Sequence, residues 1–269
     1  MTSIIVESQN LLTAQISSHT IEKTCDFLQS SLEKKNFDSI VFGLSGGIDS
    51  AVVGVLCKKA LKKHQKILAV CMPAIHSNPM HLQDAKTLCT QFDIPYTIHS
   101  IAPYEKIFRE ENPTRLRLGN FLARMRMNIL YDYSAKNNAL VIGTSNKSEL
   151  MLGYGTLHGD LACAINPIAT FYKTQIFQIA KILNLPQNII QKAPSADLYP
   201  NQSDSDELGY SYEILDPLLF YISQNFPVYK TIDSQFLISQ GFDTKMVQTI
   251  VKRIQNNLFK HEHPLIQNF

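Results

Sequence analysis

Gly43-Leu44-Ser45-Gly46-Gly47-Ile48-Asp49-Ser50 gathers in one unbroken run the groups that hold a phosphate. Glycines let backbone N–H groups approach an anion, Ser45 and Ser50 add hydroxyl donors, and a helix beginning just afterwards would present its positive end. Alone, Ser-Gly-Gly would read as a turn and Asp49 as a helix cap. Asp49 points further, because a carboxylate repels phosphates unless a cation lies between them, and Mg²⁺ bridging Asp49 to a nucleotide meets that need. The run lacks the Lys-Ser or Lys-Thr pair of a Walker loop, which favours chemistry at the α-phosphate over γ-phosphate transfer.

Such a turn works only if a strand delivers it and a helix receives it. Residues 39–44 form a short apolar, β-branched run, and a helical pattern covers residues 49–63 with Val52, Val53, Leu56 and Ala60 on one face. Strands are predicted again at 66–72, 96–100 and 139–143, with helices at 80–91 and 120–136 between them. Repeated β then α predicts an α/β fold, a doubly wound parallel sheet with flanking helices, whose ligands bind beyond the carboxyl ends of the strands. Further along, Gly153, Gly155 and Gly159 punctuate a loop, residues 173–183 look helical, and the polar stretch 194–207 is too long for a simple connector and reads as a lid. The last sixty residues look mainly helical, with Val247, Ile250, Val251 and Ile254 at helical spacing.

The loop after its strand resembles the signature of the N-type ATP pyrophosphatases, and other blocks narrow the likeness. Val141-Ile-Gly-Thr-Ser-Asn-Lys-Ser-Glu149 with Gly153-Tyr-Gly-Thr156 and Gly159-Asp160 is similar to the central block of the NAD synthetases. Gly119-Asn-Phe-Leu-Ala-Arg124-Met-Arg126 resembles the block before it, and Pro194-Ser195-Ala196-Asp197-Leu198 with Gln202 and Asp206-Glu207-Leu-Gly209 resembles the substrate-lid block. The likeness runs from about residue 20 to 265. It implies one synthetase domain over 1–269, with a nucleotide-binding core at about 20–200, a lid at 194–209 and C-terminal helices at about 210–260. The adenine nucleotide alpha hydrolase-like fold comes with it. The implied reaction joins ATP, deamido-NAD and ammonia: the nicotinate carboxylate is adenylated with loss of pyrophosphate, and ammonia then displaces AMP to give NAD. Without room for the amidase domain of the glutamine-dependent members, free ammonia is the expected nitrogen donor.

Carried onto this sequence, the resemblance implies ATP binding by Gly43, Leu44, Ser45, Gly46, Gly47, Ile48, Asp49 and Ser50, with Thr144, Lys173 and Ser195, and Mg²⁺ ligation by Asp49 and Glu149. Ordinary readings stand beside these: a solvated helix face for Glu149, a helix cap for Thr144, a surface cation for Lys173 and a turn residue for Ser195. Lys173 at the head of a helix is unfavourable with the dipole, so neutralising phosphate charge explains it better than helix stability. Arg124 and Arg126, two positions apart on a helix, point to nearly opposite faces, so one pocket takes one of them. The resemblance gives the dinucleotide to Arg124 and leaves Arg126 a structural or interface ion pair. Asp160 corresponds to a carboxylate near the ammonia site, where accepting a proton from ammonium is the requirement, and a solvated loop Asp is the alternative. The pattern departs at Leu157 and Ala164, where polar contacts to deamido-NAD are expected, which leaves His158 or Lys260 to supply substitutes. The His261-x-His263 pair reads as an exposed tail.

Bulk properties set the limits. With 269 residues, 45% of them hydrophobic, the chain can bury a full core. Lys and Arg number 25 against 23 Asp and Glu, which removes the overall basic field that nucleic acid binding needs. An RNA-modifying adenylating enzyme using Arg109, Arg115, Arg117, Arg124 and Arg126 is the rival reading, and a catalytically lost interaction protein is the bland one. Five cysteines in no CxxC pair fit a reducing cytoplasm, and nothing in the sequence predicts a leader or a membrane span. The family's homodimer is expected here as well.

Overall fold

Ile40, Val41 and Phe42 are all fully buried, and burial on both faces of one strand marks a central position in a parallel sheet covered on each side. The computed structural model describes residues 3–14, 16–195, 203–262 and 266–267. Its sheet runs β3 (Tyr96–Ile98), β2 (Lys66–Cys71), β1 (Ser39–Gly43), β4 (Leu140–Ile142), with every pairing parallel. Register places Val41 between Leu68 and Val141. The chain steps outward from β1 to β2 to β3 and then returns to the other side of β1 for β4. Strand order therefore reverses between β1 and β4, which is where doubly wound sheets open a crevice.

Alternation along β1 builds two cores. Ile40 and Phe42 face one layer, with Val52 and Leu56 of α3 (Ile48–Ala60), Leu28 of α2 (Ser18–Lys35) and Ile176 of α8 (Lys173–Ile182). Val41 faces the other, with Leu118, Leu122 and Ile129 of α6 (Arg115–Asn137). The long α6 starts five residues earlier than the apolar pattern predicts, because Thr114 caps it, and so Arg115 and Arg117 join Arg124 and Arg126 on one helix. Helices α1 (Ser3–Ala14), α2 and α5 (Ala102–Arg109) escape the sequence reading, as does the single turn at Gln187–Ile190. α4 (Pro79–Gln91) and α9 (Gln187–Ile190) join the Ile40 and Phe42 layer through Leu88 and Ile189, whereas α7 (Lys147–Leu152) sends Met151 and Leu152 into a different core.

A third core belongs to helices alone. Leu12 of α1 packs with Leu215, Leu218 and Leu219 of α11 (Tyr212–Asn225), Leu237 of α12 (Ser234–Ser239), and Val247, Ile250 and Ile254 of α13 (Thr244–Asn257). The C-terminal helices thus bury a core of their own that recruits the N-terminal helix. The expected lid is partly helical: α10 (Asp204–Leu208) begins at the Ser203 cap, with three acidic residues in its first turn where the dipole favours them. Its Asp204 amide donates to the Pro194 carbonyl at 3.0 Å, tying the two ends of the segment together. Residues 196–202 of that lid lie outside the described residues. Among the described residues no helix is long and apolar enough to cross a membrane, and all five cysteines are free.

Candidate functional site

The phosphate-type loop leaves β1 at Gly43 and enters α3 at Ile48 with its hydroxyls already turned inward. Ser50 Oγ lies 3.1 Å from Ser45 Oγ and accepts the Ser45 amide at 3.2 Å, while the Gly47 amide donates to Ser45 Oγ at 3.2 Å. Gly46 has φ +81°, and a Cβ there would stand 2.1 Å from the His81 carbonyl oxygen, so the turn excludes any side chain. No side chain caps α3, whose N-cap is Gly47. Asp49 is therefore not the cap, and the helix end is left without a side-chain cap, its N–H groups open to an anion.

Asp49 turns instead toward a cluster assembled from three elements. The Lys173 ammonium, from the first turn of α8, lies 2.6 Å from Asp49 Oδ2 and 3.0 Å from Glu149 Oε1 on α7, with 3% of the lysine side chain exposed. Neither a surface lysine nor a solvated glutamate survives that placement. Asn146, fully buried after β4, joins the two sides of the crevice: its Oδ1 accepts the Glu149 amide at 3.0 Å and its Nδ2 donates to Asp49 Oδ1 at 2.8 Å. Glu149 returns a bond to the Asn146 amide, completing a capping box. Burial alone would lower the Lys173 ammonium, but Asp49 and Glu149, with Asp204 behind them, hold it above its ordinary value. Burial pushes the Glu149 carboxyl up, and Lys173 opposes that shift.

Further partners extend the cluster. Asp204, buried at the start of α10, accepts from Tyr212 at 3.0 Å and lies 3.2 Å from the Tyr154 hydroxyl, which is 2.7 Å from Glu207. Asp216, fully buried in α11, accepts from Ser148 Oγ at 2.6 Å and from the Thr174 amide and hydroxyl at 2.8 and 2.7 Å. Ser148 and Thr174 are the chain neighbours of Glu149 and Lys173, so Asp216 braces both. Of these residues Asn146 had a signal in its Asn-x-x-Glu spacing, and Ser148, Tyr154 and Glu207 fall inside blocks that carry the resemblance, whereas Asp204 and Asp216 had none.

The remaining expected site residues spread around this centre. Thr144 is half-buried just beyond β4 and is not the cap of α7, since Asn146 is. Ser195 is exposed at the lid's root. Arg124 is exposed, donates to the Leu157 carbonyl at 3.2 Å and lines a hollow of about 380 Å³ with Phe108, Arg117, Asn120 and Phe121. Arg126 points the other way and donates to the Met72 carbonyl at 3.3 Å, a backbone contact at the end of β2. The exposed Ala164 donates its amide to the Val141 carbonyl and so flanks β4. Asp160 turns back into its own loop, its Oδ1 accepting the Thr156 amide at 2.9 Å. Although the residue as a whole is exposed, the chain crowded around its carboxyl raises it above the ordinary aspartate value, against the pull of that bond. Lys260 grips the carbonyls of Gly153 and Gly155 at 2.6 and 2.9 Å, and His261 Nε2 lies 2.7 Å from the Leu150 carbonyl. The segment expected as an exposed tail is thus docked up to His261, while His263 lies outside the described residues. No group of three or more His, Cys, Asp or Glu side chains stands at metal-binding spacing among the described residues.

Comparison with known proteins adds independent findings. The family model described as NAD synthase matches residues 20–264. An NH3-dependent NAD+ synthetase of Helicobacter pylori is 53% identical over 244 residues, covering 90% of this chain and 93% of the relative. A solved NH3-dependent NAD synthetase from Campylobacter jejuni, in complex with nitrate, superposes with a TM-score of 0.77 at 40% identity, covering 94% of this chain and all of that one. A structure described as NMN synthetase from Francisella tularensis gives 0.82 at 31% identity over 95% of this chain and all of its own.

Proposed function

This chain belongs to the NAD synthase family, and from that premise we propose that its crevice carries out the ATP-dependent amidation of deamido-NAD by ammonia, yielding NAD, AMP and pyrophosphate. It is accordingly a ligase that forms a C–N bond. The observation that carries the assignment to this site is the meeting of Asp49, Glu149 and Lys173 beside the glycine loop, at the crevice where strand order reverses.

A carboxylate is a poor electrophile, so its activation must come first. A nicotinate oxygen bonds to the α-phosphorus as the bond to the β-phosphate oxygen breaks and pyrophosphate leaves. Ammonia then bonds to the acyl carbon and AMP departs. Both partners of the first step are anions, and this chain's contribution is to bring them together: the Gly47 amide, Ser45 and Ser50 hydroxyls and the α3 terminus cradle phosphate oxygens, and Lys173 supplies positive charge beside them. Asp49 and Glu149 are hard oxygen donors that already converge on one cation, the Lys173 ammonium. Such a pair would hold a magnesium ion, which would supply further neutralisation of phosphate charge there. Thr144 and Ser195 are assigned to ATP, and Arg124 with its hollow to an anionic group of the dinucleotide. Asp160, whose crowded carboxyl takes a proton more readily than an ordinary aspartate, suits removal of a proton from ammonium. Lys260 acts on the dinucleotide through the 153–155 turn it grips.

We read the 194–209 segment as a lid hinged on the Pro194 to Asp204 tie, and protection from proteolysis on adding ATP and deamido-NAD checks it. Ile107 on α5 and Leu116 on α6 are 67% and 75% exposed, on two helices joined by the stacked rings of Phe108 and Phe121, and these exposed apolar side chains support a homodimer. Five free thiols fit a reducing compartment, and the cytoplasm is our assignment.

Pyrophosphate release and NAD formation, measured with ATP, magnesium and ammonium plus deamido-NAD, nicotinate mononucleotide, tRNA or no acceptor, test the proposal. Equal amounts of pyrophosphate and NAD are expected with deamido-NAD. The mononucleotide arm matters because a relative carries the NMN synthetase description and because Leu157 and Ala164 are apolar where dinucleotide contacts are expected. Preference for the mononucleotide would reassign the substrate, and release with tRNA alone would overturn the reading.

A further inference from the structure

Lys192 is a cation at the phosphate loop that the mechanism above does not use. Its ammonium lies 2.8 Å from the Gly46 carbonyl oxygen and 2.5 Å from Asp84 Oδ2 on α4. Asp84 is buried, and its Oδ1 accepts from Asn188 Nδ2 on α9. The ammonium is thus fixed from α4 and α9 and aimed at one backbone oxygen of the loop.

That oxygen belongs to the peptide between Gly46 and Gly47. With a glycine on each side, neither φ nor ψ is restrained by a Cβ, and such a peptide plane can turn over at little steric cost. The two faces it would offer an anion are opposite in sign. In a trans peptide the C=O and N–H point in opposing directions, so a carbonyl directed at Lys192 sends the Gly47 amide toward Ser45 Oγ and the cradle. Turned over, the same peptide would present its negative oxygen to the phosphates.

We propose, resting on the reading of this crevice as the ATP site, that Lys192 is a positioning residue: anchored by Asp84, it holds the Gly46 carbonyl outward so that the loop meets the ATP phosphates with the Gly47 N–H. Its contribution is to ATP binding in ground state and transition state alike, which separates it from Lys173 and predicts an effect on KM rather than kcat. Losing one charge-assisted bond to the loop corresponds to about a tenfold weakening or more.

The test uses the full-length chain with Lys192→Met, Lys192→Arg and Asp84→Asn, each checked by thermal melting. The readouts are calorimetric ATP affinity, KM for ATP, KM for deamido-NAD and kcat. Calorimetry of the wild type separates the premise from the proposal: no ATP uptake by the wild type removes the ATP site itself. Given uptake, the expected result is about a tenfold or larger rise in both ATP Kd and KM for Lys192→Met, with kcat and the deamido-NAD KM within about twofold. Lys192→Arg should recover part of the loss, and Asp84→Asn should share the ATP defect in smaller degree. An ATP affinity within about twofold of wild type in a folded Lys192→Met overturns the proposal, as does an equal loss in kcat. Failure of both Lys192→Met and Asp84→Asn to fold overturns it too, by assigning the pair to stability.

Discussion

Lys173 sits between two carboxylates with almost none of its side chain in water, so removing its ammonium leaves Asp49 and Glu149 facing one another without a counter-charge. Stripping one partner from a buried ionic group costs on the order of 3 kcal/mol or more, because the remaining charge cannot be rehydrated. Lys173→Met should therefore lower both stability and turnover. A second change, Asp49→Asn, should restore part of the stability and none of the activity. Urea denaturation of the single and double variants checks this, and equal stability of wild type and Lys173→Met would contradict the cluster as described. Elsewhere in the site single residues carry less: Arg124, exposed and bonded to one carbonyl, belongs to substrate recognition and its loss should leave folding intact.

At the scale of elements, α7 does two jobs through one side chain. Asn146 caps the helix and also reaches across the crevice from β4 to Asp49 on α3. Asn146→Ala removes both interactions, and loss of a capping side chain costs about 1 kcal/mol, up to roughly 2. Asn146→Asp separates them, since an aspartate caps equally well but sets a like charge against Asp49. The aspartate variant should thus approach wild-type stability in the presence of magnesium, lag behind without it, and show lower turnover in both conditions. Melting temperatures with and without magnesium decide, and magnesium-independent melting of Asn146→Asp would remove the inferred repulsion. The capping pattern of α7 was readable as Asn-x-x-Glu, whereas its second bond depends on α3 being brought alongside, which no local signal states.

For the whole molecule, Asp216 is the point where the C-terminal helical core grips the site, through Ser148 and Thr174. Burial pushes its carboxyl from the ordinary 3.8 up to about 6, against the bonds from Ser148 and Thr174. The folded state therefore binds this proton more tightly than the unfolded chain does. The stability it contributes is complete below about pH 4 and is lost as the pH rises through about 6. Asp216→Asn has no such proton, so the stability of wild type relative to that variant should fall between about pH 4 and 6.5, by on the order of 2 to 3 kcal/mol. Denaturant midpoints across that range measure it, and a constant difference would show that the carboxyl does not titrate there. A second prediction concerns assembly. Leu116→Glu, at the exposed leucine in the first turn of α6, should shift a dimer toward monomer in light scattering, while a wild-type monomer at micromolar concentration would dispose of the homodimer proposal.

The amino-acid sequence by itself determined the strands, since their apolar β-branched runs are local, and it determined the loop, since glycines and hydroxyls must be adjacent in the chain to cradle a phosphate. It also carried the family, through blocks such as Val141 to Glu149 and Gly119 to Arg126. It left α1 and α2 unseen because their value lies in cores they share with distant helices, and it left Asp204, Asp216 and Lys192 unremarked because an Asp or Lys is ordinary until its surroundings are known. Only tertiary structure could bring Asp49 to Lys173 across 124 positions. Burying those charges together, where water cannot screen them, is what turns scattered polar residues into one electrostatic centre.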